Sequence, residues 1–359
     1  MRLLWIFCLC AGMATAQEDL FPQQVGNELL ESLAVEYKPS GLLDYDQARD
    51  TMYREVYRNS QGEVTCYYTG HSIFLPGDVD PSSFLYNDSD LNGITAEHLY
   101  PQSKGAGEGD ARSDMHSLVP AIWRVNEARS NYPFGEVPDE ETDRWYRLTE
   151  DLREIPTRDI DFYSERLNGG FGNPGLFEPR ESVKGDVARA IFYFYTMYKS
   201  EADQADPDYF DEMKEALFAW HQQDPVDSLE YNLNFSKARF QQGKVNPYII
   251  DCTLVQRAYF QDSNIELDCN RNFTSSIQQV EDLDLVVYPN PVIDLLYLNL
   301  SESWNTSSYK ITTSEGQQIL AGQIDSNKTL NLSVLPTGLY ILSLSNQNGK
   351  LLVKKITKQ

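Results

Sequence analysis

At Leu285 the hydrophobic pattern of this chain changes period, and that change divides what it can fold into. From there to Gln359 apolar and polar residues alternate in short runs: "LVVYPNPVIDLLYLNL", "SSYKITTSEGQQIL", "LNLSVLPTGLYILSL" and "GKLLVKKITK". Asn-Pro, Glu-Gly, Pro-Thr-Gly and Asn-Gly steps punctuate them, as turns between strands do. The expectation over 285–359 is a compact all-β module, a sandwich. It holds no histidine and no cysteine, so chemistry is sought upstream, beyond a polar linker at 273–284.

Upstream the spacing is helical or mixed, which makes the class α+β. Residues 25–60 place Leu29, Leu33 and Val35, then Ala48, Met52 and Val56, at helical intervals. Val183–Tyr198 has a broad apolar face, and Asp206–His221 is amphipathic with acidic residues in its first turns. Val64–Tyr68 and Ile94–Leu99 read as short strands, 78–92 as loop, and "KGAGEGDARSD" as a Gly-rich turn. "MHSLVPA" reads as a strand up to Pro120, with Pro120 in the first turn of the helix "AIWRVNEARSN". Residues 135–182 read as acidic and loop-rich.

The opening "MRLLWIFCLCAGMATA" has one cation, an apolar run from Leu3 to Ala14 and a small-residue end. That is the layout of a secretory signal peptide over 1–16, with cleavage expected after Ala16. The run is short of the ~20 residues a bilayer span needs, and no later stretch is apolar enough to span. Of the five cysteines, Cys66, Cys252 and Cys269 would remain. Cys252 and Cys269 are the expected pair, and Cys66 a buried free thiol. The net charge of −24 argues against broad attraction to nucleic acid or anionic membrane. A protein of this balance that works on a polyanion needs a local basic groove, a metal ion, or both.

The chain has four histidines, and one of them, His98, directly follows Glu97 in "TAEHLYPQS". Alone, such a histidine is more often a satisfied structural group. Weight comes from "RSDMHSLVPAIWRVNEARSNYPFG", which supplies Asn126 and Arg129 three apart on one helical face. A strand ending in Glu-His, a second strand and that helix would form a ββα unit with a base, hard oxygens and a cation around one point. This suits phosphodiester hydrolysis. A neutral imidazole can take a proton from water near pH 7, carboxylate and amide oxygens suit Mg²⁺, and a guanidinium can grip phosphate.

With "VKGDVARAIFYFYTMY", "LFAWHQQDPVD" and "QQGKVNPYI" following in order, residues 30–255 resemble the bacterial endonuclease I family. These are secreted or periplasmic nucleases of the His-Me finger (ββα-metal) group. The resemblance implies a mainly helical nuclease domain, over 17–272, with a ββα-metal core. It implies His98 as the general base and Glu97 and Asn126 as ligands of a single Mg²⁺, with Mn²⁺ or Ca²⁺ as substitutes. It also implies cutting of DNA, and of RNA as a second substrate, with little sequence preference and 5′-phosphate ends. The arginine that holds the scissile phosphate in some members falls in a segment replaced here by "KGAGEGD". Arg129, Arg112 and Lys104 are therefore the candidates, in that order. Tyr100 stands where members commonly show Trp, and the stretch after Glu230 lacks the family's usual Arg.

Lys104, Arg112, Arg124 and Arg129 are expected to make a small basic strip in an acidic body. His116 is expected to hydrogen-bond beside the site, on a strand; His71 and His221 read as a loop and a helix-end residue, and Arg189 and Trp220 as packing positions. "VVYPNPVIDLLYLNL", "LPTGLYILSL" and "GKLLVKKITKQ" resemble the C-terminal sorting domain of type IX secretion cargo, found in Bacteroidota. This implies that machinery as a partner and a secreted or cell-surface location. A generic adhesion or carbohydrate-binding sandwich is the plainer alternative. The leading reading is a secreted, monomeric, metal-dependent endonuclease. The others are a non-catalytic surface binding protein with a degenerate nuclease domain, and a phosphodiesterase for small nucleotides.

Overall fold

Leu29 and Leu33, one turn apart, are fully buried and seat the first helix, α1 (Gly26–Tyr37), on the core, while Val35, two residues on, faces solvent at 85% exposure. The computed structural model describes residues 20–86, 91–170, 175–263, 285–288, 292–300, 308–313, 318–324, 328–345 and 351–358. The expected signal peptide, the linker at 273–284 and Cys269 lie outside them. Cys252 is disulfide-bonded, its partner also lying outside the described residues, and Cys66 is a buried free thiol. The chain divides into two compact units, Met1–Phe273 and Thr274–Gln359.

In the first unit, Asp44 accepts from the Gln47 N–H to start α2 (Tyr45–Thr51), which continues as a wide π turn, Met52–Tyr57. A hairpin follows, β1 (Glu63–Thr65) with β2 (Ser72–Phe74). The 78–92 stretch, expected as loop, contains a short helix, α3 (Pro81–Leu85), because Asp80 caps it and Pro81 fits its first turn. β3 (Ile94–His98) comes next, then α4 (Gly109–Ser113) inside the expected Gly-rich turn. His116 sits in a 3₁₀ turn, Met115–Ser117, and not on a strand: the Asp114 carboxylate accepts from its N–H and tightens the chain there.

Pro120 also departs from expectation, lying inside β4 (Leu118–Ile122) ahead of α5 (Trp123–Arg129). It stands opposite Ala96 of β3, and its carbonyl accepts from the Tyr67 N–H, outward from the pair. The missing N–H of proline therefore removes no bond from the β3–β4 ladder. All five residues of β4 are buried. Leu118 joins Ile94, Met52 and Tyr53 in one apolar cluster, while Val119 and Ala121 join a larger one. Burial on both sides explains why the strand reads as an unbroken apolar run.

Residues 135–182 hold a four-stranded antiparallel sheet where loops were expected: β5 (Arg144–Arg147), β6 (Glu150–Leu152), β7 (Ser164–Leu167) and β8 (Leu176–Glu178), in the order β6-β5-β7-β8. Its strands are three or four residues long and turn charged groups inward. Glu165 is buried against the Thr142 hydroxyl, and Glu178 against the Val137 N–H and Lys184. Such strands carry no apolar alternation to read. The helices α6 (Lys184–Met197), α7 (Lys199–Ala205), α8 (Tyr209–Gln223), α9 (Ser228–Ala238), α10 (Pro247–Ile250) and α11 (Leu254–Tyr259) complete the unit. α6 is buried nearly all round and packs with α8 and β4 into the larger cluster.

The second unit is a β-sandwich. β9 (Leu285–Tyr288), β10 (Leu295–Leu300) and β13 (Thr329–Asn331) form one sheet, ordered β13-β10-β9. β11 (Ser308–Thr313), β12 (Gln318–Gln323), β14 (Gly338–Ser345) and β15 (Leu351–Lys358) form the other, ordered β12-β11-β14-β15. Leu296 and Leu298 of the first meet Ile311, Leu342, Leu344 and Ile356 of the second in one core, the i, i+2 pattern of half-buried strands. Among the described residues, no helix is long and apolar enough to cross a membrane.

Candidate active site

β3 and β4 form a two-stranded antiparallel ribbon, and α5 begins on the residue after β4 and packs back against β3. Asn126, in the middle of α5, donates its amide nitrogen to Thr95 Oγ1 at 3.1 Å and to the Ala96 carbonyl at 3.3 Å. Those two bonds orient the carboxamide. One turn later Arg129 is fully buried behind the strand end. Its Nη1 donates to the His98 carbonyl at 3.3 Å and its Nη2 to the Leu99 carbonyl at 2.6 Å. Nη1 also lies 3.4 Å from Glu97 Oε1, and the guanidinium stands over the Phe134 ring.

Glu97 is buried as well, and the Tyr68 hydroxyl donates to its Oε1 at 2.7 Å. Burial raises its pKa above the usual carboxylate range, while the Arg129 charge and the Tyr68 bond work in the opposite direction. The His98 ring has Nε2 2.9 Å from the Arg112 carbonyl. A carbonyl can only accept, so Nε2 carries the proton and Nδ1 carries the lone pair. Gln102 donates its amide to Nδ1 at 3.3 Å, and the ring stacks on Tyr45 with centroids 5.4 Å apart. Burial, helped by the Arg112 and Arg129 charges, pushes this imidazole down to about 4. It is therefore neutral throughout the physiological range, with its lone pair on Nδ1.

Ala96, Glu97, His98, Gln102, Asn126 and Arg129 line one open cleft of about 400 Å³. The Tyr68 and Arg129 contacts to Glu97 fall on Oε1, the His98 backbone N–H also reaches this carboxylate, and the bonds of Asn126 use its nitrogen and not Oδ1. Asn126 Oδ1 and the Glu97 carboxylate are thus hard oxygen donors that line the same cleft. That donor set fits Mg²⁺, which keeps several of its own waters. Among the described residues no three His, Cys, Asp or Glu side chains gather as a metal cage.

The other cations are placed differently from the sequence expectation. Arg112 gives its carbonyl to His98, but its guanidinium stacks on the Tyr45 ring at 4.4 Å, away from the cleft lining. Lys104 pairs with Asp206 at 2.5 Å and stands over Tyr209. Arg124 bonds Asn92 and the Glu150 carbonyl and lies 3.8 Å from Asp151. The expected basic strip is thus dispersed: Lys104, Arg124 and Arg129 are each set against a carboxylate, while Arg112 stacks on Tyr45. Gln102, Tyr68 and Tyr45 were not singled out from sequence. Gln102 had a signal, four residues after His98 in "EHLYPQS", whereas Tyr68 and Tyr45 reach the site only through the fold. His116 and His221 lie outside the cleft, bonded to the Lys244 and Cys252 carbonyls.

A histidine that closes the first strand of a ββα unit, sharing a cleft with a carboxylate and a carboxamide, places the first unit in the His-Me finger class. The endonuclease I family model matches residues 27–252, and the chain belongs to that family. Residues 286–359 match the secretion system C-terminal sorting domain. An extracellular ribonuclease of Bacillus amyloliquefaciens is 28% identical over 178 residues, 45% of this chain and 53% of its own length. That of Bacillus subtilis (strain 168) is 27% identical, over the same shares of both chains. An extracellular deoxyribonuclease of Aeromonas hydrophila is 29% identical over 136 residues, 38% of this chain and 48% of its own. The chain spans about half the length of the curated relatives it matches.

Proposed function

We propose that this chain is an exported, divalent-metal-dependent endonuclease that hydrolyses phosphodiester bonds of DNA, and of RNA as a second substrate. The observation that carries the reading is the bond from His98 Nε2 to the Arg112 carbonyl. It leaves the basic Nδ1 of a neutral imidazole in the cleft that Glu97 and Asn126 also line. In this reading Nδ1 takes the proton from the attacking water, displacing the long bond from Gln102. Glu97 and Asn126 would hold the Mg²⁺, which would supply positive charge to the phosphate. Arg129 is a positioning residue: it fixes the carbonyls on either side of the His98–Leu99 peptide and the Glu97 carboxylate beside them.

The ribonuclease and deoxyribonuclease relatives support nucleic acid as the substrate class without choosing the sugar. The sorting domain supports export through the type IX machinery. The reading is tested by incubating the purified protein with supercoiled plasmid and with RNA, in Mg²⁺ and then in EDTA. Degradation in Mg²⁺ and none in EDTA is the expected result. Cutting that survives EDTA contradicts the metal assignment, and turnover of a dinucleotide with both polymers left intact contradicts the endonuclease.

A further inference from the structure

A second groove of about 390 Å³ adjoins the His98 cleft, and Ala96 lines both. Its walls differ in chemistry from the first. Tyr45, Tyr86 and Trp123 bring aromatic rings to it, Arg49 a guanidinium, and Ser82 and Ser83 hydroxyls. Tyr86, just past the end of α3, is 41% exposed, a large ring left open to solvent. Tyr45 connects the two depressions: its ring stacks on His98, and the guanidinium groups of Arg112 and Arg49 stand over it at 4.4 and 5.4 Å. Arg49 is held in place by its Nε bond to Ser82 Oγ at 2.7 Å and by the exposed Asp46 at 3.2 Å.

Flat polarisable rings, guanidinium groups and hydroxyls side by side suit a nucleobase with its sugar and phosphate. Stacking on such rings tolerates any sequence because every base has a π-face, but the face must be free. In a duplex the bases present their edges and keep their faces to one another. Phosphate attraction is also limited here, since the net charge is −24 and Lys104 and Arg129 are paired with Asp206 and Glu97. We infer that the groove walled by Tyr86 and Trp123 seats an unpaired base of the strand whose phosphate lies at His98, so that single-stranded nucleic acid is the preferred substrate. The place of the phosphate rests on the nuclease reading; the binding of an unpaired base does not.

The test is binding of the full chain, by fluorescence anisotropy in EDTA so that nothing is cut. The probes are a labelled single-stranded deoxyoligonucleotide, its RNA counterpart, and a blunt duplex of the same sequence. The wild type is expected to bind single strands about fivefold or more tighter than duplex, the DNA and RNA arms showing which backbone the groove takes. Tyr86→Ala is expected to lose about that factor for single strands, and Tyr86→Phe, which keeps the ring, to retain it. Equal wild-type affinity for single strand and duplex, or unchanged single-strand binding in Tyr86→Ala, overturns the inference. Cleavage of the same probes in Mg²⁺ is scored apart. Its absence refutes the nuclease reading, while the binding result in EDTA still decides the groove.

Discussion

Arg129 shows how a charge that reads in sequence as a phosphate grip can be used on the backbone. It is fully buried, bonded to two successive carbonyls and paired with a buried carboxylate. Breaking such a pair from one side leaves an uncompensated buried charge and costs about 3–5 kcal/mol. Arg129→Ala is therefore expected to lower the urea midpoint by a corresponding amount, and Arg129→Lys to rescue little, because an ammonium lacks the fork that spans both carbonyls. A wild-type midpoint in Arg129→Ala would show that the residue holds nothing. His116 gives a second prediction. Burial pushes its imidazole down to about 4, against the Asp114 charge and the Lys244 carbonyl, with Lys237 adding to the depression. Between that value and about 6.5 the unfolded chain binds a proton that the folded one does not, so stability falls as pH drops through this window. The loss at the acid end is on the order of 3 kcal/mol. His116→Gln should lose that part of the slope when urea midpoints are followed from pH 7 to pH 4.5, and an unchanged slope would place the effect elsewhere.

Among the elements, α5 ends abruptly. Ser130 follows it at φ +53° and ψ −118°, a backbone conformation that suits glycine. Such a residue costs about 1–3 kcal/mol. Ser130→Gly is expected to raise the thermal midpoint, and a lower midpoint would mean the seryl side chain contributes more than the strain removes. The ββα unit that α5 completes was legible in sequence, because Ile94–Leu99 and "MHSLVPA" read as short strands followed by a helix that presents Asn126. Its interior details were not. Pro120 reads as a helix start by local rule, and only the pairing with β3 shows that its nitrogen faces away from the ladder. The sheet β6-β5-β7-β8 was illegible for a related reason. Glu165 and Glu178 are buried on contacts to Thr142 and Val137, which lie far along the chain, and to nearby Lys184, so polar residues there do not mark the surface.

At the scale of the whole molecule, the two units carry separate cores, and the change of period at Leu285 marked the β-rich one. The charge balance was legible too, but its local resolution was not: pairing of Lys104 with Asp206 and of Arg129 with Glu97 depends on elements brought together by folding. With those cations matched, few counterions are displaced when a strand binds. The plot of log Kd against log salt is expected to have a slope of about three or less in magnitude, and a slope near ten would reveal a basic surface that the fold does not present. The chemistry itself turns on His98. The most direct measurement compares plasmid cutting in Mg²⁺ by the wild type and by His98→Ala, each with its urea midpoint determined. A loss of about 10²- to 10⁴-fold in rate with the fold retained is predicted for a general base; cutting by His98→Ala at the wild-type rate would contradict it.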